Sequence, residues 1–121
     1  MSVTLKTRQV EGVTILDVAG QIKLGEGAST LRDALRDLVS NNHLKILLNL
    51  GEVSYIDSSG IGELVAGYTT VTGKGGQLKL LNLTKRVTDL LQITKLYTVF
   101  DVHDSEASAI RSFATRDATG A

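Results

Sequence analysis

The chain has 121 residues, the size of one ordinary domain, and carries 13 basic against 13 acidic side chains for a net charge of zero. The absence of cysteine excludes disulfides and thiolate metal sites, and with no basic stripe interleaved with aromatics the sequence argues against a nucleic-acid binder. No apolar run approaches the roughly 20 residues of a membrane span, and the N-terminal MSVTLKTRQV has no apolar signal core, so a cytoplasmic protein without membrane association is expected.

Taken in chain order, residues 3–10 (VTLKTRQV) begin with the apolar–polar alternation of a half-buried strand. Glu11-Gly12 reads as a tight turn, and residues 13–18 (VTILDV) as the second strand of an antiparallel hairpin. The glycine-rich AGQIKLGEG reads as a loop. From Ser29 the period becomes helical: Ala28, Leu31, Leu35, Leu38 and Val39 share one face, and Ser40-Asn41-Asn42 ends the helix. Residues 44–50 (LKILLNL) are almost continuously apolar, as a central strand covered on both faces must be. Helical spacing returns at Ile61, Leu64, Val65, Tyr68 and Val71, and stops at Gly73-Lys74-Gly75-Gly76. QLKLLNL is a third core strand; Thr84 caps a short helix; YTVFDV (97–102) reads as a last strand; Asp104 or Ser105 caps a final helix. Residues 115–121 are small and polar and are expected to form a disordered tail.

The order β-β-α-β-α-β-α-β-α implies a single α/β domain over residues 3–114. Its central sheet should be mostly parallel, with an antiparallel N-terminal hairpin strand and about four helices.

The stretch that calls for chemistry is YIDSSGIGEL, residues 55–64. It puts Asp57, Ser58, Ser59 and Gly60 where a core strand ends and a helix begins, the end of the strands at which sites gather in open α/β sheets. Three readings compete. A catalytic serine needs a G-x-S-x-G elbow and a base. Ser58 instead lies between Asp57 and Ser59, and the only histidines, His43 and His103, read as loop-surface residues at strand ends. A helix cap needs one side chain, and leaves unexplained three polar candidates followed by Gly60 and Gly62, each interior glycine costing roughly 1 kcal/mol against alanine. A phosphorylation site fits the third way: the free N–H groups and positive dipole end of a helix tolerate a phosphoserine dianion, while a partner packed there would meet a new charge.

Two other features reduce to structure. TGKGG has Tyr68 where a phosphate-binding loop needs its first glycine, and Gly75 after the lysine where that loop needs Ser or Thr. Asp101, His103, Asp104 and Glu106 have no standard metal spacing, and no metal or other cofactor is expected.

D-S-S-G followed by Ile61, after a core strand and on this element order, resembles the STAS domain, the family named for sulphate transporters and anti-sigma factor antagonists. The likeness spans about residues 3–114. Without flanking membrane segments the chain is similar to the stand-alone bacterial antagonists. The resemblance implies a non-enzymatic binding protein that engages an anti-sigma factor with serine kinase activity and so frees a sigma factor. It implies that the kinase phosphorylates Ser58 and releases the antagonist, and that a serine phosphatase resets it. Asp57 would position the first turn, and Ser59, Gly60, Ile61 and Gly62 would lie in the contact surface. The sequence departs from the family where many antagonists carry G-E-L-D: here the loop reads GQIK, with Gln21 and Lys23 replacing both acids as modulators of partner choice. The alternative is a scaffold of the same fold in a signalling or transport complex, indifferent to Ser58.

Overall fold

The computed structural model describes residues 3–120, with side chains described through Phe113. Its elements are β1 (Val3–Val10), β2 (Val13–Ile22), α1 (Glu26–Ser40), β3 (Lys45–Ile56), α2 (Ser58–Gly73), β4 (Gln77–Leu81), α3 (Lys85–Ile93), a single 3-10 turn (Tyr97–Val99), β5 (Val102–His103) and α4 (Glu106–Gly120). The tail expected over 115–121 falls beyond the described side chains.

One five-stranded sheet runs in the order β1-β2-β3-β4-β5. β1 pairs antiparallel with β2 across the Glu11-Gly12 turn, where Glu11 at φ 52° and Gly12 at φ 83° take the left-handed conformation of a two-residue hairpin. The remaining pairings are parallel, and each strand from β2 to β4 is followed by a crossover helix. The expected α/β class, hairpin and helix count are all present.

The two faces of the sheet are covered unequally. α1, α2 and α3 pack on one face, where Leu31, Leu35, Leu64, Val71, Val87 and Leu91 meet Leu16, Ile46, Leu48, Leu50 and Leu80 from the strands. Each such aliphatic side chain, taken fully out of water, contributes about 1.5–3 kcal/mol. α4 covers the other face with Ala109, Ile110 and Phe113 against Val13, Ile15, Leu47 and Leu81. An ion-paired cluster reinforces this thinner layer: Arg8 Nε lies 2.7 Å from Asp17 Oδ2, and Arg8 Nη2 lies 2.7 Å from Glu106 Oε1. Asn49 also donates to Asp17. These contacts hold the carboxyls of Asp17 and Glu106 below their ordinary range, chiefly through the Arg8 guanidinium.

Four details differ from the sequence reading. β2 does not stop at Val18 but continues through Gly20 and Gln21 to Ile22, because β3 extends beside it and supplies partners as far as Ile56. That pairing is bulged: between Asp17 and Ala19, and again between Gly20 and Gln21, β3 spends one more residue than β2. α1 starts at Glu26 rather than Ser29, after Gly25 at φ 102°. The strand expected over 97–102 is instead the 3-10 turn and the two-residue β5, with Phe100 turned into the larger core. His103 therefore lies within β5, its side chain 16% exposed and its Nε2 3.1 Å from Asp101 Oδ2.

Candidate functional site

The site forms where β2 and β3 end side by side and α2 begins. Ile22 pairs with Ile56, and Asp57 N–H donates to Ile22 O at 3.3 Å. Asp57 is the N-cap of α2: its backbone is extended (φ −119°, ψ −173°) and its Oδ1 accepts from Gly60 N–H at 3.1 Å. Its second oxygen reaches outside the helix, accepting from Leu24 N–H at 3.0 Å. One carboxylate thus ties the β2–α1 loop to the start of α2. The Leu24 N–H, helped by those of Gly60 and Ser59 and opposed by partial desolvation, holds the Asp57 carboxyl below the usual carboxylate range.

Since Asp57 performs the capping, Ser58 and Ser59 are not needed for it. Ser58 is the first helical residue and is exposed, and its hydroxyl makes no hydrogen bond with the described residues. Ser59 is half-buried. No acidic side chain lies in the first turn of α2.

The glycines differ. Gly60 is buried, and a Cβ there would strike Ile22 O and come within 2.7 Å of Ile56 Cγ1, so the close approach of α2 to the strand ends demands glycine. Around Gly62 a Cβ would meet nothing within 4 Å, and this residue opens the surface of the helix beside Ser58. Ile61 is only 3% exposed and belongs to the larger core. Its side chain points into that core and anchors α2. Of the sequence-derived contact residues, the fold brings Asp57, Ser58, Ser59 and Gly62 to one surface and places Gly60 and Ile61 beneath it.

Lys23 is exposed in the loop that Asp57 holds through Leu24. Gln21 is half-buried at the end of β2 opposite Tyr55, and its Oε1 is shut from solvent without a hydrogen-bond partner among the described residues. Two residues joined to this region escaped the sequence reading. Leu24 is 78% exposed, an uncovered apolar side chain on the loop pinned to the motif. The signal was there, a leucine between Lys23 and Gly25 with no helical or strand period to bury it. Arg86, in the first turn of α3, lies with its guanidinium carbon 4.2 Å from the Tyr55 ring centre, and its Nη2 donates to Ile56 O at 3.4 Å. That pairing joins elements 30 residues apart and has no local pattern to announce it.

The other candidates find structural uses. His43 sits 3.3 Å from Gln9 Nε2 and 3.4 Å from Thr14 Oγ1, and neither histidine touches Ser58. Asp101 pairs with Lys79 at 3.0 Å and Glu106 with Arg8, while Ser105 Oγ accepts from Ser108 N–H to cap α4. Among the described residues no group of three or more His, Cys, Asp or Glu is placed to hold a metal, and no helix is long and apolar enough to cross a membrane.

The pattern of the STAS domain matches residues 4–109, nearly all of the strand and helix order described above. The chain belongs to the STAS domain family. Among STAS relatives, the anti-sigma-B factor antagonist of Bacillus subtilis strain 168 is 35% identical over 103 residues, covering 84% of this chain and 92% of that protein. The crystal structure of an anti-sigma factor antagonist from Mycobacterium paratuberculosis superposes with a TM-score of 0.83 at 20% identity, covering 93% of this chain and 94% of that one. The Bacillus cell fate determinant SpoIIAA, solved in its phosphorylated form, gives a TM-score of 0.71 at 17% identity over 90% of this chain and 98% of that one. At such identities these two structures speak for the fold.

Proposed function

We propose that this STAS protein is an anti-sigma factor antagonist switched by phosphorylation of Ser58. The observation that carries the reading is the division of labour at the start of α2: Asp57 holds the turn, its carboxylate engaged by the Gly60 and Leu24 N–H groups, leaving the Ser58 hydroxyl exposed and uncommitted. A phosphoryl group on Ser58 would add about −1.5 to −2 charges at the positive end of a helix, which the fold accommodates. An anti-sigma factor packed over Ser58, Gly62 and the exposed Leu24 would face an unpaired dianion and lose contact, while the antagonist stays folded. The relatives' names supply the class of partner, an anti-sigma factor. In this reading that partner is also the serine kinase, a serine phosphatase reverses the modification, the protein itself catalyses nothing, and the exchange takes place in the cytoplasm. Lys23, beside the motif, favours a partner whose facing surface is acidic.

The test is a comparison of three baits in lysate of the native cell: wild type, Ser58→Ala and Ser58→Asp, with retained proteins identified by mass spectrometry. Wild type and Ser58→Ala should both retain a kinase-like protein that Ser58→Asp loses. ATP added to the wild-type complex should place one phosphate, on Ser58. Identical partner sets for all three baits would sink the switch and favour a constitutive scaffold.

A further inference from the structure

A groove of about 370 Å³ runs between α1 and α2, away from the strand ends. Its floor is apolar and shallow: Leu35 and Val39 from α1 face Ala66 and Gly67 from α2. The helices approach closely there, since a Cβ on Gly67 would come within 2.7 Å of Leu35 Cδ1. Three cations, Arg32, Arg36 and Lys74, stand around the floor against one carboxylate, Glu63. These charges are largely uncommitted. Arg32 touches its neighbour Asp33 at 3.4 Å, and Arg36 and Lys74 have no ion pair among the described residues. In contrast, Arg8, Lys79 and Lys85 are each paired at 3.0 Å or less.

An excess of positive charge around an apolar trough selects a partner that is acidic outside and apolar along one stripe. The spacing selects its shape. Arg32 to Ser40 is nine residues of helix, and the eight steps between them span about 12 Å, or two turns, at 1.5 Å per residue. That length suits the leucine stripe of a short helix laid along the groove. We propose that the α1–α2 groove docks an acidic amphipathic helical segment of a partner protein, with apolar side chains over Ala66 and Gly67 and carboxylates on Arg32, Arg36 and Lys74. This goes beyond the switch at Ser58 and does not depend on it.

The probe is a capped 14-residue peptide with leucines at three- and four-residue spacing and glutamates elsewhere, titrated into the labelled protein while backbone amide resonances are followed. Shifts should concentrate on α1 and α2 around the groove, and a tenfold rise in ionic strength should weaken binding several-fold. Arg36→Glu with Lys74→Glu should weaken it at least tenfold, as should Ala66→Leu, which fills an exposed part of the floor. Melting curves should show that these variants fold, and Ser58→Asp should bind as wild type does. No groove-centred shifts at about 1 mM peptide, or equal binding of the peptide with lysine in place of glutamate, would overturn the proposal. ATP or sodium phosphate moving the same resonances as strongly would instead mark a small-anion site. Movement of those resonances on diluting the free protein would mark a contact between two copies.

Discussion

α2 and α3 leave the same end of the sheet, each after a parallel strand and each from a single capping side chain, yet their first turns are built differently. Thr84 Oγ1 accepts only from Val87 N–H, within its own helix, at 3.3 Å. Asp57 accepts from Gly60 and, across the neighbouring strand ends, from Leu24. α3 then opens with Lys85 and Arg86, cations at the end of the dipole that disfavours them. Both have found other partners: Lys85 pairs with Asp89 at 2.7 Å, and Arg86 lies over Tyr55. α2 opens with two hydroxyls and a glycine, without charge. One start is a stop on fraying, and the other is a rigid platform anchored through the Asp57 carboxylate to two elements, with no charged side chain in the turn that follows. A helix N-terminus becomes useful for receiving charge when its cap is over-determined and its first turn is left electrically empty.

The largest effect expected from breaking this platform comes from its buried glycine. Gly60→Ala must push α2 off the end of β2 and should cost about 1–3 kcal/mol in urea unfolding. Gly62→Ala, two positions along in open space, should instead raise stability by up to about 1 kcal/mol. If the two variants unfold alike, the close approach at Gly60 is not the constraint described here. The caps come next. Asp57→Ala removes bonds to two elements and should cost about 1–2 kcal/mol, against about 1 for Thr84→Ala. Faster amide exchange at Leu24 is expected in the first variant alone.

The smallest effect separates the caps by pH. The folded-state pKa of Asp57 is lowered. Its contribution is therefore fully present above the unfolded value near 3.9 and is lost as pH falls through that value towards the folded one. The stability gap between wild type and Asp57→Asn should be constant above about pH 5 and close below it, whereas the gap between wild type and Thr84→Ala should not respond. A gap for Asp57→Asn that persists to low pH would show that the carboxylate charge contributes nothing to the anchor.

The parts of this molecule readable from its sequence are those where local pattern and tertiary demand agree. LKILLNL is apolar because both faces of β3 are covered, and Thr84 caps because its hydroxyl meets its own helix. The helix after DSSG was plain from Ile61, Leu64 and Val71, all of which are buried. Misreadings cluster where the environment overrides pattern. Gly20 and Gln21 look like a loop and are held as strand only by the long reach of β3. YTVFDV has strand composition, but Phe100 is needed in the core and the chain turns to deliver it. The resemblance puts Ile61 in a contact surface, whereas its helical spacing with Leu64 points inward, and the fold buries it. The bond from Asp57 to Leu24 joins residues 33 apart and was not legible at all.

The two bulges of β3 make the orientation of the motif a matter of counting. Leu50, Val53 and Ile56 all reach the same core although they stand three apart, where an unbroken strand would alternate in twos. Removing one residue between 51 and 55 would leave the remaining strand out of phase and turn Asp57 and Ser58 towards the opposite side of the sheet. The ten letters YIDSSGIGEL are therefore not a transferable cassette. Grafted onto another parallel sheet, they would need the irregular strand that precedes them and the matching length of β2 beside it, or the serine would arrive on the wrong face.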